Sequence, residues 1–231
     1  MLLRVPEVLS AEAVQRCRRI IEGADWSDGR ITAGTQSEQV KNNRQLPEDS
    51  EASRVARAIV LEGLSKSALF ITGALPKKTF PPLFNRYDGS ANAFGNHIDN
   101  AVRTSKATGL WVRTDLSATL FLSQPDEYEG GELVIEDTFG TQSIKLAAGD
   151  LILYPASSVH RVEPVTRGTR LASFFWIESM VRDDAQRRLL FDLDMAILTL
   201  RGSGGGNAGD SEPVVKLTGC YHNLLRMWSD T

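Results

Sequence analysis

From Phe80 onward the chain is a succession of short β-rich runs, and this constrains the fold more than any other feature. The runs cover 81–87, 95–99, 109–113, 117–123, 131–136, 143–146, 150–154, 159–163 and 169–177. Turn-forming pairs separate them, among them Asp88-Gly89, Gly130-Gly131, Phe139-Gly140 and Gly149-Asp150. Strands this short at this spacing predict an antiparallel sandwich or barrel rather than βαβ units. Eight or so strands in two antiparallel sheets is the jelly-roll count. The expected class is mainly β with flanking helices.

The flanks change period. Ser10 is a candidate N-cap, and Val14, Cys17 and Ile21 recur at helical spacing until Gly23 stops the run. A second helix is expected from Ser50 or Glu51, with Val55, Ile59 and Leu64 among its buried positions. Residues 24–49 are polar and irregular. After Ser179 the period is again helical: 182–200 places Leu189, Leu193, Ala196, Ile197 and Leu200 on one stripe. A flexible glycine-rich loop follows at 201–210, then a last helix at about 214–229. The expected division is 1–79 as a helical segment packing on the core, 80–178 as the core, and 179–231 as a helical extension. The apolar stripes of that extension must pack on the β-core or on a second subunit, so a homodimer is a candidate assembly.

Charge and scarce residues exclude several classes. Lys plus Arg number 26 against 29 for Asp plus Glu, a net charge of -3. That balance argues against a nucleic-acid partner, which needs a basic surface to displace counterions. Two cysteines, Cys17 and Cys220, cannot build a thiolate zinc site or an iron–sulfur cluster. Any metal must draw on His97, His160 and His222 with carboxylates. The first nine residues are interrupted by Arg4, Pro6 and Glu7, unlike a secretory signal, and no apolar run approaches the ~20 residues of a membrane span. A cytoplasmic location is expected, with both cysteines as thiols and Cys17 buried.

In the strand-like run Gly95-Asn-His-Ile-Asp99, alternation puts His97 and Asp99 on one face. His160 opens another strand. Two imidazoles and one carboxylate cap a triangular face of Fe(II) and leave positions open for reaction. A His-x-Asp arises often by chance; Arg170, ten residues after His160, sharpens it. A buried arginine there can pair bidentately with a carboxylate, and alternation sets Ala172, Phe174 and Trp176 beside it as a partly aromatic wall. Lys41, Asn42 and Arg44 are candidates for a pocket mouth, with a solvated loop as the plainer alternative. Asn100 and Arg103 either reach the same mouth or anchor a loop. Gly130-Gly131 reads as a tight turn, and His222 as structural or surface.

His97-x-Asp99, His160 and Arg170 at this spacing resemble the iron(II)- and 2-oxoglutarate-dependent dioxygenases of the prolyl-hydroxylase type. The closer resemblance is to the bacterial PKHD-type hydroxylases, through Lys41-Asn42-Asn43, Phe94 to Arg103, Ser117 to Ser123, Tyr128 to Leu133, Ala148-Gly-Asp150, His160 to Arg170 and Asn223 to Trp228. It covers nearly the full length apart from the glycine-rich insert. It implies a double-stranded β-helix (jelly-roll, cupin-like) core with N-terminal helices and a C-terminal helical extension. Fe(II) would sit on His97, Asp99 and His160, and Arg170 would hold the distal carboxylate of 2-oxoglutarate. Tyr87, ten residues before His97, matches a tyrosine that contacts the cosubstrate in animal prolyl hydroxylases; a core aromatic is the alternative. The implied reaction consumes O2, decarboxylates 2-oxoglutarate to succinate and hydroxylates a C–H bond. Related halogenases carry a small residue where Asp99 stands, so the carboxylate favours hydroxylation. L-ascorbate is a candidate accessory cofactor. The substrate is a small molecule or a peptide, with relatives linked to bacterial iron uptake. A non-catalytic jelly-roll that senses iron or 2-oxoglutarate is the alternative from another class, and a nucleic-acid demethylase is disfavoured by charge.

Overall fold

The computed structural model describes residues 1–32, 35–137, 140–203 and 211–231. Two antiparallel sheets face one another. The larger runs in the order Leu3–Val5, Leu151–Pro155, Leu116–Phe121, Arg170–Ser179, Leu83–Tyr87, Arg44–Gln45 and Ser27–Asp28, with Pro76–Thr79 also paired to Arg170–Ser179. The smaller runs Gly140–Ile144, Leu133–Asp137, His160–Val162, Ala93–His97 and Lys41–Asn42. Each of the nine β-rich runs overlaps a strand, that at 143–146 only at its start, since the strand there is Gly140–Ile144. The run at 95–99 is displaced: its strand is Ala93–His97, so Asp99 lies just beyond the strand end.

Alternation along Arg170–Ser179 separates two environments. Leu171, Phe175 and Ile177 join the apolar core beneath the helices, whereas Arg170, Phe174 and Trp176 line a cavity between the sheets. Leu116–Phe121 is buried along its whole length, as a strand with a packed face on either side must be. The helix-side core takes Val14, Cys17 and Ile21 from helix Ala11–Glu22, and Ile59, Val60 and Leu64 from helix Glu51–Lys66. Both helices start where the sequence suggests: the side chains of Ser10 and Ser50 accept from the Ala13 and Ser53 backbone N–H groups. Burial pushes the Cys17 thiol up to about 12, leaving it inert.

Two helical faces differ from expectation. Val55 is 40% exposed, and the inward arc of its helix is Ser53, Ala56, Val60 and Leu64. One residue turns a helix by about 100°, which carries Val55 out of an arc centred on Ala56. On helix Asp184–Ser203 the buried positions are Arg187, Leu190 and Ile197, while Leu189, Ala196 and Leu200 are exposed and Leu193 is half-buried. The Arg187 guanidinium decides that phase: it is buried and donates to the Val181 and Arg182 carbonyls at 2.7 and 2.6 Å. Residues 201–203 continue this helix, and the rest of the expected glycine-rich loop, 204–210, lies outside the described residues. Helices Asp184–Ser203 and Glu212–Trp228 pack on each other. Leu190, Leu224 and Trp228 close over Leu75 and Val181.

The first 79 residues also contribute strands to both sheets. Lys41–Asn42 extends the smaller sheet beside Ala93–His97, and Arg44–Gln45 extends the larger beside Leu83–Tyr87. The chain thus steps from one sheet to the other within five residues. Among the described residues no helix is long and apolar enough to cross a membrane. Phe84, fully buried in the helix-side core, is expected to cost about 3–5 kcal/mol as Phe84→Ala in urea unfolding. Val55→Ala is expected to cost less than about 0.5 kcal/mol.

Candidate active site

The smaller sheet brings the two histidines together. His160 stands directly opposite His97 in the antiparallel register, and their ring centroids are 4.2 Å apart. The Nδ1 of His97 pairs with the Gly95 carbonyl at 2.8 Å, and that of His160 with the Ser158 carbonyl at 3.1 Å. A carbonyl can only accept, so each ring carries a proton on Nδ1, and in the neutral form its Nε2 lone pair is left for another partner. His160 Nε2 lies 3.7 Å from Asp99 Oδ2, and that oxygen accepts from the Ser117 hydroxyl at 2.6 Å. The ligand atoms of His97, Asp99 and His160 all lie within 4.8 Å of one another, a set able to hold a metal ion. Burial, and then the facing His160 ring, lower the His97 pKa. A neutral imidazole is the form that ligates. Phe94 stacks on His97 with centroids 3.6 Å apart, and Tyr154 meets His160 edge-on at 5.1 Å.

The same cavity, about 700 Å³ of space partly open to solvent, holds Arg170 and Tyr87. These two are paired across adjacent strands and each is 1% exposed. The guanidinium carbon lies 5.3 Å from the Tyr87 ring centroid and 5.2 Å from that of Phe121. None of the three guanidinium nitrogens has a hydrogen-bond partner among the described residues. A buried cation left so is costly unless an anion joins it, and a carboxylate matches its fork. The donor set therefore fits both groups in question: two neutral nitrogens and one carboxylate suit Fe(II), and Arg170 suits a dicarboxylate. Gly131, at φ +68, lets the chain pass close to the arginine stem; a Cβ there would meet Arg170 Cδ at 3.1 Å. Gly130-Gly131 is not the tight turn expected: Gly130 ends the strand Tyr128–Gly130 at a register shift, and both glycines take a positive φ beside the arginine's berth.

The polar segment before the second helix was underestimated by its composition. Alternation turns Lys41, Asn43 and Gln45 inward and leaves Asn42 and Arg44 exposed. Lys41 is therefore no solvated loop residue: it lines the cavity and donates to Gln45 at 3.1 Å. Burial foremost, and Arg103 next, lower its pKa to about 7. Asn42 instead donates to the Ser90 carbonyl at 2.6 Å. Asn100 and Arg103 line the cavity, with Arg103 stacked 4.3 Å above the Trp176 ring. His222 is exposed and packs on the Tyr221 ring. Asn43, Asn85, Ser117, Thr119 and Tyr154 also face the cavity and were not anticipated. Ser117 and Thr119 had a legible signal, since polar residues at alternate positions in an apolar strand mark one wet face.

Comparison with known proteins agrees with this geometry. Residues 82–178 match the 2OG-Fe(II) oxygenase superfamily, and residues 184–230 match the PKHD-type hydroxylase C-terminal domain. A PKHD-type hydroxylase from a Polaromonas species is 58% identical over 231 residues, covering 100% of both chains. The chain belongs to the PKHD-type hydroxylase family. Membership takes it out of the sensor class and into that of hydroxylating enzymes. The fold recurs in a Trichoplax adhaerens prolyl hydroxylase solved with a hypoxia-inducible-factor peptide fragment. The TM-score is 0.57 at 15% identity, covering 82% of this chain and 86% of that one. It recurs also in HygX from Streptomyces hygroscopicus, solved with nickel, 2-oxoglutarate and hygromycin B. There the TM-score is 0.52 at 13% identity, covering 77% of this chain and 82% of that one. For this PKHD-type hydroxylase the core matched to the oxygenase superfamily carries His97, Asp99, His160 and Arg170, while Lys41 comes from the segment ahead of it.

Two outcomes follow for the family member in hand. Ser117→Ala removes the hydrogen bond that orients Asp99, and metal affinity is expected to fall by about 10- to 100-fold in a calorimetric Mn(II) titration. Lys41 releases its proton more readily when folded, so between pH 7 and 10.5 the unfolded chain binds the extra proton and stability rises with pH. Wild type is therefore expected to gain stability relative to Lys41→Met across that window, read from denaturant midpoints at each pH.

Proposed function

We propose that His97, Asp99 and His160 hold one Fe(II) ion and that Arg170 binds the distal carboxylate of 2-oxoglutarate, with the Tyr87 hydroxyl as a second contact. The observation carrying this reading is the company Arg170 keeps: a buried guanidinium with no hydrogen-bond partner among the described residues, in one cavity with two imidazoles and a carboxylate. With both groups bound, the available chemistry is O2-dependent decarboxylation of 2-oxoglutarate to succinate coupled to hydroxylation of a C–H bond.

The protein's own contribution is positional. The Gly95 and Ser158 carbonyls fix both imidazole tautomers, and Ser117 fixes the carboxylate. Phe94, Tyr154 and Phe174 line the cavity with rings that limit water near the reacting atoms. The Tyr87 phenol, buried and with its pKa raised by that burial, stays protonated and able to donate. The substrate is a small molecule or a peptide side chain, in a context of bacterial iron uptake or homeostasis, and L-ascorbate is the accessory reductant. The relatives support this breadth, since one fold neighbour was solved with a peptide fragment and another with hygromycin B.

The test is anaerobic binding of 2-oxoglutarate to the Fe(II)-loaded protein, followed by succinate formation on admitting O2. His97→Ala is expected to abolish metal-dependent cosubstrate binding. Arg170→Gln should retain the metal while weakening 2-oxoglutarate binding by at least about tenfold, the loss of one charge-assisted hydrogen bond. Unchanged 2-oxoglutarate affinity in Arg170→Gln would remove the cosubstrate assignment.

A further inference from the structure

The cavity has a second cationic pole. Lys41 Nζ lies 5.7 Å from the Phe174 ring centroid and 5.3 Å from that of Phe94. Phe174 meets Trp176 edge-to-face at 5.7 Å, and Arg103 covers Trp176 at 4.3 Å. Lys41 and Arg103 thus flank one aromatic pair, on the side of the cavity where Asp99 acts electrostatically on both. Arg170 sits elsewhere, among Tyr87, Phe121 and Tyr128.

Charge counting gives this pole a purpose. Among the described residues lining the cavity three are basic, Lys41, Arg103 and Arg170, and one is acidic, Asp99. With neutral histidines the formal balance is two positive charges when Lys41 is protonated and one when it is not, Lys41 titrating at about 7. Fe(II) and the 2-oxoglutarate dianion cancel each other, so loading both leaves that excess in place. Two other acids act on the pole, Asp28 on Lys41 and Glu48 on Arg103, and neither lines the cavity. Asp28 is engaged by the Arg30 guanidinium. Glu48 accepts from the Ser105 hydroxyl and from the Lys106 backbone N–H at 3.3 Å. In a water-poor site an excess of like charge selects for a ligand of opposite sign.

Building on the proposed iron and cosubstrate sites, we infer that the substrate carries an anionic oxygen group, a carboxylate or a phosphate, held by Lys41 and Arg103 beside the Phe174–Trp176 pair. Arg103 supplies a planar fork and Lys41 a point charge, while the rings accept an apolar body next to the anion. This orients the substrate with its charged end at the pole and a neighbouring C–H bond towards Asp99 and the histidines.

The experiment uses full-length protein loaded with Mn(II) and saturating 2-oxoglutarate, so that Arg170 is occupied. Calorimetry compares matched probes: benzoate with benzamide, and phenyl phosphate with phenyl acetate. The anionic member of at least one pair is expected to bind about tenfold more tightly, and the winning pair tells carboxylate from phosphate. In Lys41→Met/Arg103→Met that margin should vanish while 2-oxoglutarate affinity holds. Lack of an anionic preference in either pair overturns the inference, and this arm needs only wild-type protein. So does a margin that survives in the double variant, or a parallel loss of 2-oxoglutarate affinity, which would give the two cations to the cosubstrate. Failure of the Mn(II)-loaded wild type to bind 2-oxoglutarate would instead sink the functional reading beneath it, a result read before any probe is added.

Discussion

The site depends on one backbone pairing, His160 opposite His97 across two antiparallel strands far apart in sequence. Directly opposed residues hold their Cβ atoms about 5 Å apart, so the sheet register itself sets the two imidazoles at metal-bridging separation. Each ring then spends its Nδ1–H on the carbonyl two residues earlier in its own chain. The same local device used twice leaves both Nε2 atoms turned the same way. A slip of one residue in either strand would send one histidine to the opposite face of the sheet. Leu133–Asp137 on the far side of His160–Val162, and Lys41–Asn42 on the far side of Ala93–His97, guard that register by pairing both outer edges.

The electrostatics follow from burial. Two sheets and a layer of aromatic side chains keep His97 neutral and make every unpaired charge in the cavity expensive. Arg170 is the sharpest case, lodged between Tyr87 and Phe121 with no acceptor on its nitrogens among the described residues. Aromatic faces offset part of the cost through their negative quadrupoles, which explains why this arginine sits among rings rather than aliphatics. The rest of the cost is recovered when an anion enters. Lys41 and Arg103 likewise lie over rings, those of Phe94, Phe174 and Trp176. Cation over ring is thus how this fold stores positive charge in a cavity with one carboxylate, Asp99, among its described lining residues.

How much of this was legible in the sequence depended on how local the determining interaction is. The strands were visible because apolar alternation and turn pairs are written within a few residues. His97, Asp99, His160 and Arg170 were visible because metal and carboxylate chemistry leaves few residue types to choose from. The role of Lys41 was not visible: Lys41–Asn42 and Arg44–Gln45 are two-residue strands, held by partners at Phe94 and Arg86 that no local pattern announces. Helix phase failed in the same way. The choice of Ala56 over Val55, and of Leu190 over Leu189, rests on what lies across the interface, and in the second case on Arg187 reaching the Val181 carbonyl.

Burying charge without a protein partner has a thermodynamic corollary. A core selected only for stability would replace Arg170 with an apolar side chain of similar volume, a change that is often neutral or favourable for buried ions. Retaining the arginine, whose three nitrogens have no hydrogen-bond partner among the described residues, makes anion binding there stabilising by an amount that grows with the logarithm of ligand concentration over its dissociation constant. The histidines work the other way. Their Nδ1 hydrogen bonds to the Gly95 and Ser158 carbonyls orient both rings, which lowers the reorganisation a metal would require. The cavity therefore combines a half in which backbone hydrogen bonds orient both histidines with a half in which Arg170 has no hydrogen-bond partner among the described residues. That division suits chemistry in which the reactive centre must not form before cosubstrate and substrate are both in place.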